Sequence, residues 1–261
     1  EACLAALAQV AEATRGQTAV AIVGLPLRVD HRLYNCAAVC AGGEVLGIQP
    51  KTYLPNYAEF YEARQFAGAD TAVSTTVNVN GRVVPFGTDL IFRPRQQPLL
   101  AIHVEICEDV WVPIPPSSYA ALAGATVLVN LSASNITIGK SAYRHQLVNL
   151  QSARCQAAYL YSSAGIGEST TDLAWDGQTM IYENGVLLAE TERFPKGERR
   201  SVADVDTGLL RAERLRMGTF DDNRRHHADR ADAFRHVEFV LDPPAGDIGL
   251  RRAVERFPFV P

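Results

Sequence analysis

Residues 99–111 read Leu99-Leu100-Ala101-Ile102-His103-Val104-Glu105-Ile106-Cys107-Glu108-Asp109-Val110-Trp111. Up to Ile106 the run is short, mostly apolar and branched, the pattern of a strand buried on both faces. It stops at Cys107-Glu108-Asp109, where a turn or a helix start leading to Trp111 is expected. Residues 126–131 repeat the buried-strand pattern, and residues 119–123 between the two have helical character. Residues 141–157 form a long amphipathic helix with Leu147, Leu150, Ala153 and Ala157 on one stripe, and residues 159–163 read as the next strand. Upstream, an amphipathic helix over residues 4–14 leads to a strand at residues 19–24, closed by Gly24 and Pro26. A hairpin follows, with strands at 33–39 and 44–48 joined through Gly42-Gly43. A second hairpin, 179–182 with 186–189, turns on Glu183-Asn184-Gly185. Strands alternating with helices and then hairpins predict an α/β domain with a mixed sheet. From Asp206 the texture changes to arginines among acids without a strong period, which reads as an arm rather than core.

The chain has 261 residues, 47% apolar and 21% charged, so it is expected to bury a substantial core in one large domain or two small ones. A net charge of −4 leaves no electrostatic footprint for nucleic acid or an anionic membrane, and no apolar run is long enough to span a bilayer. A small molecule or another protein is the expected partner. The start, Glu1-Ala2-Cys3-Leu4-Ala5-Ala6-Leu7, lacks an initiator Met and a basic leader, and reads as the inside of a helix and of a longer protein. Five cysteines at irregular spacing, with no C-x-x-C pair, predict reduced thiols in the cytoplasm and no metal site. Cys36 and Cys40 read as small core residues.

Cys107 is the most suggestive single residue. At a strand-to-helix junction, nearby backbone N–H groups can stabilise a thiolate and then the oxyanion of a tetrahedral intermediate. Read alone, its position favours one more core cysteine over a catalytic one. His103, four positions back on the same strand, reads as structural, so a Cys-His protease is not favoured. Lys51 follows Val45-Leu46-Gly47-Ile48-Gln49-Pro50, and a strand therefore delivers it to a sheet edge. By itself, such a lysine is normally solvated.

The two gain meaning together with their neighbours. Lys51-Thr52-Tyr53-Leu54-Pro55-Asn56-Tyr57-Ala58-Glu59-Phe60-Tyr61-Glu62, Glu105-Ile106-Cys107-Glu108-Asp109-Val110-Trp111, Asn130-Leu131-Ser132-Ala133-Ser134, Gly167-Glu168-Ser169-Thr170-Thr171-Asp172 and Trp175-Asp176-Gly177-Gln178 resemble the nitrilase superfamily. More narrowly, they resemble its branch of glutaminase domains from bacterial glutamine-dependent NAD synthetases. That resemblance implies an α-β-β-α sandwich of two mixed sheets with protomers that pair, so a homo-oligomer. It divides the chain into a glutaminase domain over residues 1–205 and an arm and linker over 206–261, with Arg214-Leu215-Arg216-Met217-Gly218-Thr219-Phe220 resembling the bacterial arm. Residues 255–261 read as the linker toward a synthetase domain, absent here, that would take ATP and Mg²⁺; no cofactor is implied for the glutaminase itself.

The resemblance implies amide hydrolysis by a Glu-Lys-Cys triad, with Cys107 as nucleophile and Lys51 stabilising the oxyanion. Glu59, eight positions beyond the lysine, is expected to orient Lys51 or the attacking groups. Tyr57, Phe60, Glu108 and Ser134 are expected to hold glutamine, Glu108 being apt for its α-ammonium. The general base is the departure. The family carries it on a strand before the lysine, in a Glu-Leu followed by Gly-Tyr, and Glu1, Glu12 and Glu44 have the wrong neighbours. The first strand and helix are therefore expected to be missing and the chain alone to be inactive. Alternative readings are a stand-alone nitrilase-type amidase or carbamoylase, or an inactive fragment serving oligomer assembly.

Overall fold

The computed structural model describes residues 1–168, 173–246, 248–249 and 252. Helix α1 (Ala2–Ala13) packs on an antiparallel three-stranded sheet of β1 (Val20–Val29), β2 (Arg32–Ala41) and β3 (Glu44–Pro50). A small hairpin, β4 (Thr76–Val79) with β5 (Arg82–Pro85), follows. The second sheet has seven strands, β6 (Leu90–Pro94), β7 (Ile102–Ile106), β8 (Val127–Ser132), β9 (Ala158–Ser163), β10 (Thr179–Glu183), β11 (Val186–Glu190) and β12 (Arg235–Phe239). Their spatial order is β11-β10-β9-β8-β7-β6-β12. Because β7, β8 and β9 run parallel, each return needs a crossover, supplied by α2 (Pro116–Leu122) and α3 (Lys140–Cys155). Helices α4 (Thr207–Arg216), α5 (Gly218–His226) and α6 (Ala228–Ala231) precede β12.

Four layers result. Ala37, Val39 and Ala41 of β2 meet Phe92, Val104, Ile106 and Val129 between the two sheets. Ala120 and Val148 of α2 and α3 cover Leu128, Tyr159 and Met180 on the outer face of the large sheet. Leu7 and Ala11 of α1 cover Leu25, Cys36 and Ala38 on the outer face of the small one. This is the expected α-β-β-α sandwich, with one sheet mixed and the other antiparallel throughout. The hairpin turn at Asn184-Gly185 has φ of 47° and 82°, the left-handed pair that favours Asn-Gly there.

Three local expectations differ. β1 runs on through Pro26 to Val29 with Leu25, Leu27 and Val29 buried alternately, because among the described residues it pairs only with β2 and an edge strand tolerates a proline. The buried face of α3 carries Arg144, Val148, Gln151, Ser152 and Cys155 instead of the expected stripe, and Leu150 is exposed. The cause is polar pairing under the helix. Gln151 donates to the hydroxyls of Ser117 and Ser118, and Ser152 to the carbonyl of Ala157. Finally, the stretch from Asp206 folds back onto the core: Leu210 is fully buried, and β12 joins β6 as the sheet's edge. Arg214 is what disguised it in sequence. Its guanidinium donates to the carbonyls of Ala125 (2.6 Å), Cys155 (2.9 Å) and Gln156 (3.1 Å), a half-buried cation at the C-terminal end of α3 whose desolvation lowers it to about 10. Residues 169–172 and the linker read at residues 255–261 lie outside the described residues.

Candidate active site

β7 ends at Ile106 and a 3-10 turn, Cys107–Val110, begins on Cys107 itself. Cys107 has φ of 47°, a left-handed conformation that costs about 1–3 kcal/mol for a non-glycine residue. The fully buried Asn130 on β8 holds it there. Its Oδ1 accepts the Cys107 N–H at 3.1 Å, and its Nδ2 donates to the Cys107 carbonyl at 3.4 Å and to the Tyr159 hydroxyl at 3.2 Å. The N–H of Cys107 is thus committed to a side chain and does not face a substrate oxyanion. The turn also takes Cys107 out of register with His103, whose ring bonds the Leu90 carbonyl at 3.0 Å and is lowered by burial to about 4.

Cys107 lines a cavity of about 610 Å³ together with Lys51, Glu59, Phe60 and Glu62. Cys36, Cys40 and Cys155 are buried, and burial pushes all three thiols up, Cys40 to about 11 and Cys155 to about 12. Burial suppresses their chemistry, whereas Cys107 is half-buried.

Lys51 follows β3 and is 3% exposed, so its ammonium needs a buried counter-charge. That partner is Glu62, whose carboxylate bonds Lys51 Nζ and accepts from Asn35 Nδ2 at 2.8 Å. Asn35 in turn accepts the Lys51 backbone N–H on its carbonyl at 2.8 Å. Glu59 stands in the same cavity wall but turns to Asn135, which donates to it at 2.6 Å. Its own backbone N–H and Asn135 hold its carboxyl below the usual range. The resemblance singled out Glu59, and the structure gives the contact with Lys51 to Glu62. Both lie in one loop, and only the loop's path, pinned by the Glu62 N–H on the Pro55 carbonyl, separates them.

Tyr57 donates to Glu108 Oε1 at 2.7 Å and stacks edge-on against Phe60 at 6.0 Å, so three expected substrate contacts stand together. Burial and then Glu108 push the Tyr57 phenol up. Ser134 is 2% exposed, and its hydroxyl has no partner among the described residues. Lys140, the first residue of α3, is a site residue that sequence reasoning missed. Its ammonium lies 5.3 Å from the ring centres of both Phe60 and Trp111 and donates to Asn135. Burial lowers it, against the opposing charges of Glu59, Cys107 and Glu108. The available signal was a cation at a helix N-terminus, where the helix dipole disfavours it.

Behind the site, Arg144 forks onto Asp176 at 2.9 and 2.6 Å and donates to Gln178 Oε1 at 3.0 Å, while Arg193 reaches Asp176 at 2.9 Å. This network anchors the segment that carries Trp175 into the cavity wall. Among the described residues no group of three or more His, Cys, Asp or Glu side chains is placed to hold a metal ion, and no helix is long and apolar enough to cross a membrane.

The chain is 65% identical over 242 residues to the glutamine-dependent NAD(+) synthetase of Mycobacterium tuberculosis (strain ATCC 25618 / H37Rv), covering 93% of this chain and 36% of that protein. The crystal structure of a glutamine-dependent NAD(+) synthetase from Cytophaga hutchinsonii superposes with a TM-score of 0.66 at 27% identity, over 87% of this chain and 37% of that one. A carbon-nitrogen hydrolase from Helicobacter pylori G27 shares the fold, with a TM-score of 0.67 at 17% identity, over 90% of this chain and 77% of that one. The chain thus spans about a third of the length of the synthetases it resembles. Residues 2–214 match the carbon-nitrogen hydrolases, a span that takes in both the lysine after β3 and the cysteine after β7, and the chain belongs to that family.

Proposed function

We propose that this chain is the glutamine-hydrolysing part of a glutamine-dependent NAD synthetase. The observation that carries the reading is that Cys107 and Lys51, at the ends of strands in different sheets, line one cavity. The Cys107 sulfur attacks the carboxamide carbon of glutamine, and the Lys51 ammonium, held by Glu62, donates to the developing oxyanion. Collapse expels ammonia and leaves a thioester, which water cleaves to glutamate and free thiol. Glu108 and Tyr57 take the α-ammonium, and Lys140 supplies the cation for the α-carboxylate. The ammonia serves ATP-dependent NAD synthesis in the part of the protein that follows this chain. Glu62 is committed to Lys51 and Asn35, and Glu59 to Asn135, so the proton-transfer role falls to the glutamate that the family carries ahead of the lysine.

Two outcomes test the reading. Lys140→Met in the complete polypeptide is expected to raise KM for glutamine at least about 10-fold with a smaller change in kcat, as loss of a ground-state contact does. Equal activity on glutamine and on simple aliphatic amides, which lack the α-carboxylate, would instead indicate a general amidase. The 261-residue chain alone is expected to hydrolyse glutamine at least about 100-fold more slowly than the complete polypeptide, the scale of a lost general base. A rate within about 3-fold would place the base inside this chain.

A further inference from the structure

We propose that Asp109 is a positioning residue that ties the loop after Lys51 to the nucleophile turn, and so sets the oxyanion-binding ammonium against Cys107. The inference rests on the role given to Lys51 above. Asp109 is 1% exposed, and both of its oxygens are used. Oδ1 accepts the Tyr53 N–H at 2.8 Å; Oδ2 accepts the Ile106 N–H at 2.9 Å and the Thr52 N–H at 3.4 Å. Ile106 is the residue before the nucleophile, and Thr52 and Tyr53 are the two after Lys51. One carboxylate therefore spans the end of β3 in one sheet and the end of β7 in the other.

A carboxylate suits this task because it accepts on both sides and donates on neither. Its presence is costly: burial and the neighbouring Glu105 carboxylate push its carboxyl up to about 7, against the N–H bonds and the Lys51 charge. Glu105 is itself fully enclosed, held by the Ser117 N–H at 3.0 Å and by the Tyr159 hydroxyl. A position that served packing alone would be filled by an apolar side chain at lower cost. Hydrolysis is sensitive to the separation of nucleophile and oxyanion donor, since a shift of about 1 Å can cost about 100-fold.

The test is Asp109→Asn in the complete polypeptide. An asparagine of the same size can place its one carbonyl oxygen at only one of the two positions and presents an amide NH₂ at the other, so it loses either the Tyr53 N–H bond or the bonds to Ile106 and Thr52, and the tie is weakened on one side. The kcat for glutamine is expected to fall about 100-fold with KM within about 3-fold. Backbone hydrogen exchange at Tyr53 or Ile106 is expected to accelerate at least about 10-fold. Slower turnover with a matching rise in KM, or faster exchange with kcat unchanged, would overturn the positioning role. Unchanged exchange at both amides would overturn the tie itself. Exchange needs no substrate, so it decides the tie even if the parent enzyme fails to hydrolyse glutamine, a result that would overturn the glutaminase reading instead. Should Asp109→Asn not fold, Asp109→Ser, with a water in the space left, carries the same comparison.

Discussion

Cys107→Ala in the complete polypeptide is expected to abolish NAD synthesis from glutamine, by about 10⁴-fold or more, while synthesis from ammonia stays within about 2-fold. The first figure is the scale of loss when a nucleophile is deleted and no other group can form the covalent intermediate. The structure makes the substitution a clean one. Alanine keeps the Cβ, so it meets the same left-handed backbone strain that cysteine tolerates at φ 47°, and Asn130 still pairs with the backbone N–H and carbonyl. What disappears is the thiol. Cys36, Cys40 and Cys155 cannot substitute, being buried with their thiols pushed up. Parallel assays with glutamine and with ammonium chloride decide it. Loss of both activities would mean that Cys107 serves the fold, and survival of both would remove it from the chemistry.

The largest stability effect is expected from Asp176→Asn. Asp176 is completely buried between Arg144, itself 1% exposed, and Arg193. Burial alone would raise its carboxyl, and the two guanidiniums reverse this and hold it below the usual range. Removing the charge leaves Arg144 in the core without a counter-ion, with its Nε already unpartnered among the described residues. Breaking such a pair from one side costs about 3–5 kcal/mol. For a domain of this size that lowers the melting temperature by roughly 10 °C. The double substitution Arg144→Met with Asp176→Leu is expected to lose less, because no charge is stranded in the core and Arg193 can turn to solvent. Thermal unfolding of the three proteins is the measurement. A change within about 2 °C for Asp176→Asn would show that the network adds nothing to stability.

The candidate site divides along a physical line. The strand ends that present Cys107 and Lys51 were legible, because the break from apolar to polar is a local feature of the chain, while their roles rested on the resemblance. Tyr57, Glu108 and Phe60 could be placed on the strength of a resemblance, and they do stand together. The choice between Glu59 and Glu62 was not legible. Both are glutamates in one loop, and which of them meets the buried ammonium depends on how that loop closes over Asn35. Lys140 was hidden for a similar reason. Its partners Phe60 and Trp111 come from two other loops, and nothing in its own neighbourhood reveals that it is desolvated.

The same line runs through the fold. By itself, the sequence determined the strands and helices up to residue 163 other than β4, β5 and β6, the two glycine hairpins and the strand ends that present Lys51 and Cys107, since period and turn chemistry act over a few residues. Only the tertiary structure decided which face of α3 is buried, that α4 and β12 belong to the core, and which acid pairs with which cation. Those outcomes depend on desolvation. A buried Arg144 or Lys51, or a half-buried Arg214, is stable only where distant carboxylates or carbonyls converge on it, and that convergence exists only once the sheets have packed.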